Sequence, residues 1–167
     1  MKPITYWTTL STPLDTMLLA ASKVGLQGTW FVGQRHFGGP AEDWQRSDLH
    51  PLLCETAAQL SAWYAGQRRT FDLPLAPIGT PFQQAVWAEL ARIAHGSTRT
   101  YGELAASLGR PTASRAVGAA TGRNPLSIII PCHRLVGRDG TLTGYAGGLD
   151  RKRALLAFES GAPLEAA

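Results

Sequence analysis

Residues 4–10 and 15–33 alternate loosely between apolar and polar positions, are rich in Thr, Val, Trp and Leu, and are broken at Pro13, Gly25 and Gly28. Successive side chains on a strand face opposite ways, so this pattern predicts short antiparallel strands joined by tight turns. Residues 34–47, with Gly38-Gly39-Pro40 and several polar side chains, predict a loop. Leu52, Leu53, Ala57, Leu60 and Tyr64 recur near helical spacing, which predicts a helix over about 48–65 that Gly66 stops. Residues 71–75 suggest one more strand, and Ala76-Pro77-Ile78-Gly79 a linker.

The second half reads as short, clearly punctuated helices. Thr80-Pro81-Phe82-Gln83 supplies an N-cap, a proline at the first helical position and a capping-box Gln. Phe82, Val86, Leu90 and Ile93 then mark one helical face. Thr100-Tyr101-Gly102-Glu103 is a second capping box, opening a helix that Gly109 ends. After Pro111-Thr112, a third helix is predicted over residues 113–121, ahead of Gly122. Two helices joined by about three residues containing Gly predict a helix-turn-helix, although many helical proteins contain such a corner without touching DNA. The second helix is nearly all small residues, namely Ala113, Ser114, Ala116, Gly118, Ala119 and Ala120, with Arg115 the only long side chain. A helix without bulk can approach a sugar-phosphate backbone or pack tightly on another helix; the lone arginine tips the balance towards DNA.

Residues 128–130 are three consecutive isoleucines, too short a run for a helix, and predict a buried strand. Pro131 cannot donate to a ladder, so pairing should stop there and leave Cys132 where the strand ends and a loop begins. An isolated cysteine is more often a buried structural residue. Here His133 follows directly, and an imidazole beside a thiol is the pairing that activates a sulfur nucleophile. The fold class predicted is therefore α+β. A small strand-rich N-terminal α/β subdomain with its linker covers 1–78, and a mainly helical C-terminal domain covers 79–167, with a helix-turn-helix and a short strand leading to Cys132.

Composition narrows the partners. The first 78 residues are electrically neutral, so the net charge of +4 belongs to the remainder, where nine of the ten basic residues are arginine. That asymmetry mildly favours a polyanion partner for the C-terminal part. No apolar run reaches the roughly 20 residues of a membrane helix, and the N-terminus lacks a signal-like apolar segment, so a soluble cytoplasmic protein is expected. Two cysteines make neither a disulfide framework nor a zinc set, so no metal is expected. Cys54, among apolar neighbours in the predicted first helix, reads as a buried or partly buried structural thiol. His36, His50 and His95 suggest ordinary surface or core roles, and Trp7, Trp30, Trp44, Trp63 and Trp87 core or subdomain contacts.

The segment Asn124-Pro125-Leu126-Ser127-Ile128-Ile129-Ile130-Pro131-Cys132-His133-Arg134-Leu135-Val136-Gly137 strongly resembles the active-site segment of the methylated-DNA–protein-cysteine methyltransferases, the O6-alkylguanine-DNA alkyltransferases. Gly144-Tyr145-Ala146-Gly147-Gly148, Thr100-Tyr101-Gly102-Glu103-Leu104-Ala105 and Ala113-Ser114-Arg115-Ala116-Val117-Gly118 extend the resemblance over residues 80–161. The N-terminal half resembles the variable domain of the bacterial single-function enzymes only loosely. The resemblance implies an irreversible, stoichiometric transfer of the alkyl group of O6-alkylguanine, and of O4-alkylthymine, to Cys132 by in-line displacement after base flipping. It makes residues 79–167 the DNA-binding and alkyltransferase domain.

The resemblance also implies roles. His133 acts as base on Cys132 through a bridging water, because neighbours on an extended segment point apart, and Glu159 orients His133. Glu159 is odd on its own terms: it ends the last helix, where the macrodipole disfavours an anion, while Arg151, Lys152 and Arg153 crowd the other end. An inward-facing Glu159 and a basic triplet facing phosphate would explain the reversal. Tyr101 donates to N3 of the flipped base, and Asn124 braces the turn before the active-site segment. Arg115 takes the vacated place in the stack. Ala113, Ser114, Ala116, Gly118, Thr100 and Arg123 complete the DNA contacts. Pro131, Leu135, Tyr145, Ala146 and Gly147 line the pocket with Tyr101, and Gly147 leaves room for alkyl groups larger than methyl. The partner implied is double-stranded DNA, held through its minor groove largely without sequence preference by a monomer, with no cofactor. Two other readings compete. A non-catalytic lesion binder of the alkyltransferase-like kind has Trp where this chain has Cys132. A cysteine hydrolase using Cys132, His133 and Glu159 leaves Tyr101 and Arg115 without a role.

Overall fold

The computed structural model describes residues 1–164. Strands β1 (Tyr6–Thr12), β2 (Asp15–Ser22) and β3 (Gly25–Phe31) form an antiparallel meander. The short β4 (Gln45–Arg46) runs parallel to β1 at one edge, giving the order β3-β2-β1-β4. It is the only regular pairing within the predicted 34–47 loop. Helix α1 (Pro51–Tyr64) packs on β2 and β1. Met17, Leu19, Phe31, Leu53, Leu60 and Trp63 are buried between them. The helix starts at Pro51 rather than 48, because proline fits the first turn where no N–H partner is needed.

The outer edge of β3 is where the two halves join. Its early part exchanges hydrogen bonds with residues 74–76, through Leu26 N to Pro74 O and Ala76 N to Leu26 O, both 2.7 Å. Only Leu75 of the strand expected over 71–75 makes a bridge. Pro74 can accept there but has no N–H to extend a ladder. Further along, Thr29 N donates to Pro125 O (2.8 Å), Ser127 N donates to Thr29 O (3.0 Å), and Thr29 Oγ1 donates to Ser127 O (2.9 Å). An open strand edge that would otherwise invite foreign pairing is thus filled by the segment leading to Cys132.

The C-terminal half is α2 (Pro81–Leu90), β5 (Arg99–Thr100), α3 (Tyr101–Ser107), α4 (Ser114–Gly122), β6 (Leu135–Val136) and α5 (Leu149–Glu159), with β5 and β6 parallel. Both expected capping boxes form: Thr80 and Gln83 exchange hydrogen bonds at the start of α2, as do Thr100 and Glu103 at the start of α3. Trp87 Nε1 on α2 donates to Ala120 O on α4 at 2.9 Å. Residues 108–113 join α3 to α4, a longer connection than the three-residue turn expected.

The strand expected at residues 128–130 is a turn. Ile128 has φ 72°, and Ile130 N donates to Leu126 O at 2.8 Å, while all three isoleucines remain buried. A short apolar run signals burial, and a buried turn satisfies that as well as a strand. The short strand of this region is β6, which follows Cys132 instead of leading to it. Cys54 is exposed, not buried: it lies on the solvent side of α1, whose inward face is Leu53, Thr56, Leu60 and Trp63. Among the described residues, no helix is long and apolar enough to cross a membrane.

Candidate active site

Asn124 spans the buried turn. Its Nδ2 donates to Ile130 O at 2.8 Å, and its Oδ1 accepts from Leu126 N at 2.9 Å. A side-chain amide that gives and takes one bond each fixes both ends of a segment whose left-handed residue, Ile128, is unusual for a β-branched side chain. Cys132 N then donates to Ile130 O (2.8 Å) and starts a 3-10 turn, Cys132–Arg134. Cys132 and His133 therefore stand on a helical turn and not on an extended segment.

His133 is fully buried, with Nε2 2.8 Å from Glu159 Oε1. The same carboxylate accepts from Arg134, through Nη2 at 2.6 Å and Nε at 2.9 Å to its second oxygen. Arg134 Nη1 donates to Ile93 O at 2.6 Å. Burial alone would raise the Glu159 carboxyl, but the hydrogen bonds from His133 and Arg134, with the Arg134 charge, bring it down to about 2. Burial pushes the His133 imidazole below its ordinary range against the pull of Glu159, so it rests neutral near pH 7. An ionised carboxylate only accepts, which places the proton on Nε2 and leaves the Nδ1 lone pair free; Nδ1 is buried and has no partner among the described residues. Burial also pushes the Cys132 thiol up, with Asn124 and the Lys152 charge opposing it. Near pH 7 both shifts favour a neutral thiol and a neutral, anchored imidazole.

Arg134 carries no signal in the sequence beyond its place after His133; its partner comes from the far end of α5. Lys152 was also missed as a structural cation. It is buried, and its Nζ donates to Leu135 O (2.6 Å), Thr143 O (3.0 Å) and Gly144 O (3.4 Å). Burial lowers its ammonium to about 8. Lys152 and Arg151 of the basic triplet on α5 therefore turn to main-chain carbonyls and not to phosphate. Arg151 donates to Gly147 O (2.8 Å) and Leu14 O (3.0 Å), and Arg153 pairs with Asp150. Main-chain carbonyls of the 143–147 loop take the role assigned to phosphate.

Cys132 borders a cavity of about 520 Å³. Tyr101, Ser114, Gly118, Arg123, Tyr145 and Ala146 are among its walls. Tyr101 Oη accepts from Thr143 Oγ1 at 3.1 Å, which leaves the phenol proton free to donate. Arg115 and Ala116 are exposed on α4, and Ala113 precedes its first turn; none of the three lines the cavity. Thr100 is spent on capping, its Oγ1 accepting from Glu103 N at 3.1 Å. Pro131 and Leu135 lie away from the cavity. Pro131 borders a separate one of about 250 Å³. Leu135 is buried in β6 and offers its carbonyl to Lys152. Gly147 acts indirectly: a Cβ there would sit 2.8 Å from the Tyr145 ring and 3.1 Å from Phe31, so glycine makes room for the tyrosine wall. Two wall residues come from the N-terminal subdomain, Arg35 and His36, and the sequence reading missed both.

Fold and site together define a two-part α+β protein built around one buried cysteine with a His–Glu–Arg network behind it. Residues 81–161 match the family described as 6-O-methylguanine DNA methyltransferase, DNA binding domain, and residues 5–77 match its ribonuclease-like domain. The chain belongs to the 6-O-methylguanine DNA methyltransferase family. It is 48% identical over 155 residues to a methylated-DNA–protein-cysteine methyltransferase of Methanosarcina barkeri, covering 92% of this chain and 96% of that protein. The constitutive enzyme of that name from Bacillus subtilis is 42% identical over 153 residues, 90% of this chain and 92% of the relative. The crystal structure of Mycobacterium tuberculosis OGT in complex with DNA superposes with a TM-score of 0.87 at 40% identity, covering 97% of this chain and 96% of that one.

Proposed function

We propose that this protein repairs DNA by moving the alkyl group of O6-alkylguanine, and of O4-alkylthymine, irreversibly onto its own Cys132. The observation that carries the reading is the neutral His133, anchored by Glu159 and free at Nδ1, directly after the one cysteine that borders the cavity. His133 takes the thiol proton through a water. Sγ attacks the alkyl carbon in line, and the S–C bond forms as the C–O6 bond breaks with its electron pair leaving on O6. The guanine regains one proton, so the reaction is proton-neutral. The Tyr101 phenol donates to N3, where charge builds only as the bond breaks. The product is a thioether with no hydrolytic exit, which limits each molecule to one turnover.

A base inside a duplex must first be extruded, at a cost of a few kcal/mol. Arg115, exposed on a helix of small residues, fills the gap while α4 lies in the minor groove as the recognition element of a helix-turn-helix. Phosphate contacts dominate affinity, so binding is largely independent of sequence and weakens with salt. In this reading residues 79–167 bind DNA and react, residues 1–78 brace them, and the protein works as a cytoplasmic monomer. The test is incubation with duplex DNA carrying labelled O6-methylguanine, followed by mass spectrometry. One alkyl group per molecule on Cys132 is expected. A productive adduct on the exposed Cys54 instead would overturn the assignment.

A further inference from the structure

The cavity has a second wall that the helical domain does not supply. Residues 32–44 leave β3, and Arg35 and His36 line the same cavity as Cys132. This loop is held at three places. Gln34 is buried, and its Oε1 accepts from Phe31 N at 2.8 Å. Arg35 N donates to Ala146 O at 3.0 Å, pinning the loop to the 144–147 segment. On its far side Trp30 stacks on Phe37 (centroids 4.1 Å apart, planes 3° from parallel) and lies 5.9 Å from Trp44. His36 itself has φ 65°, a conformation few non-glycine residues hold unless their surroundings impose it.

The charge at this mouth is one-sided. Arg35, His36 and Arg123 all border the cavity, and no Asp or Glu does. Among the described residues, neither Arg35 nor Arg123 has an acidic partner within salt-bridge distance. Slight burial and then the charges of Arg123 and Arg35 hold the His36 imidazole below its ordinary range. Like charges gathered on a braced loop, with no counter-ion of their own, make a site for an anion.

We propose that Arg35 and His36 form a phosphate clamp on the DNA strand that carries the lesion, opposite α4, so that the N-terminal subdomain is a direct part of the DNA interface. This rests on the DNA-repair reading. The extruded nucleotide enters between the loop and α4, and its flanking phosphates are the anions that reach this mouth. The backbone bond from Arg35 N to Ala146 O keeps the clamp in register with the pocket.

The test is the salt dependence of affinity for an unmodified duplex and for the same duplex with O6-methylguanine. The proteins compared are wild type, Arg35→Gln, Arg35→Lys and His36→Asn, the last chosen because Asn tolerates the left-handed backbone. Each lost phosphate contact should lower the slope of log K against log salt by about 0.9. Arg35→Gln is expected to weaken the O6-methylguanine duplex several-fold and to reduce its slope by about one, with a smaller effect on the unmodified duplex, whose base stays stacked, and with Arg35→Lys restoring most of the loss. His36→Asn should weaken the lesion duplex more at acid than at neutral pH, because the imidazolium holds phosphate more strongly than the neutral ring. An unchanged slope in Arg35→Gln on the lesion duplex, or a loss confined to the unmodified duplex, overturns the clamp. Binding does not require transfer. Should wild type fail to transfer while Arg35→Gln still lowers the slope, the transferase reading falls and the clamp stands.

Discussion

His133 Nε2 and Glu159 Oε1 meet at 2.8 Å although 26 positions separate them, and both side chains are shut off from solvent. Arg134 grips the same carboxylate. One buried anion thus orients a neutral base and neutralises a buried cation at once. Under the proposed mechanism, reactivity at Cys132 therefore depends on the same side chain as the stability of the C-terminal half.

Replacing Glu159 with Gln should for that reason do more than slow the transfer. It leaves Arg134 buried without a counter-charge, which costs about 3–5 kcal/mol. His133→Ala should instead lose about 10²–10⁴ in transfer rate as the general base is removed. Its activity should recover only in strongly alkaline solution, because burial pushes the thiol up. Urea unfolding and single-turnover rates on both variants check this. Equal unfolding midpoints for Glu159→Gln and wild type would contradict the first part.

Acid should destabilise the protein in two steps. His133 is held below its ordinary 6.5, so the unfolded chain takes up the proton first and stability falls as pH drops below about that value. Glu159 is held near 2 against an ordinary 4.5, so its contribution is complete above 4.5 and is lost as pH falls from there towards 2. Stability by urea titration between pH 8 and pH 2.5 should decline across both windows. A Glu159→Gln protein should lose the lower step only.

Thr29→Val should loosen the junction between the halves without touching the cavity. The substitution keeps the shape but removes the 2.9 Å bond from Thr29 Oγ1 to Ser127 O, leaving a buried carbonyl short of one partner. A loss of about 1–3 kcal/mol is expected. Hydrogen exchange should rise at Thr29 and Ser127, whose amides carry the junction, and a pattern confined to β1 would count against this account.

Arg115→Ala should impair repair in a duplex far more than transfer from a free O6-alkylguanine base, which has no stack to leave. Tyr101→Phe should slow both, because the phenol proton acts on the leaving group itself; a donor lost from such a position costs about 10²–10³ in rate. Single-turnover rates for each variant on both substrates decide the matter. Equal losses for Arg115→Ala on the two would mean that it supports the active site and not base extrusion.

The sequence by itself determined what is fixed within a few residues of chain. Thr80 with Gln83 and Thr100 with Glu103 close their capping boxes across three positions, so the starts of α2 and α3 were legible. The β1–β3 meander followed from alternation and turn residues, and the Cys132-His133 pair stood in plain view. Tertiary structure decided the rest. Three isoleucines encode burial but not the left-handed turn at Ile128, which Asn124 imposes through Ile130 and Leu126. The α5 cations looked free for phosphate because the carbonyls of Leu135, Thr143 and Gly147 that bind them belong to other segments. Arg35 and His36 reached the cavity only because β3 pairs with the Pro125–Ser127 segment, nearly a hundred positions away. A hydrogen bond between near neighbours is written in their spacing, whereas a buried charge or strand edge takes whichever partner the packed chain brings to it.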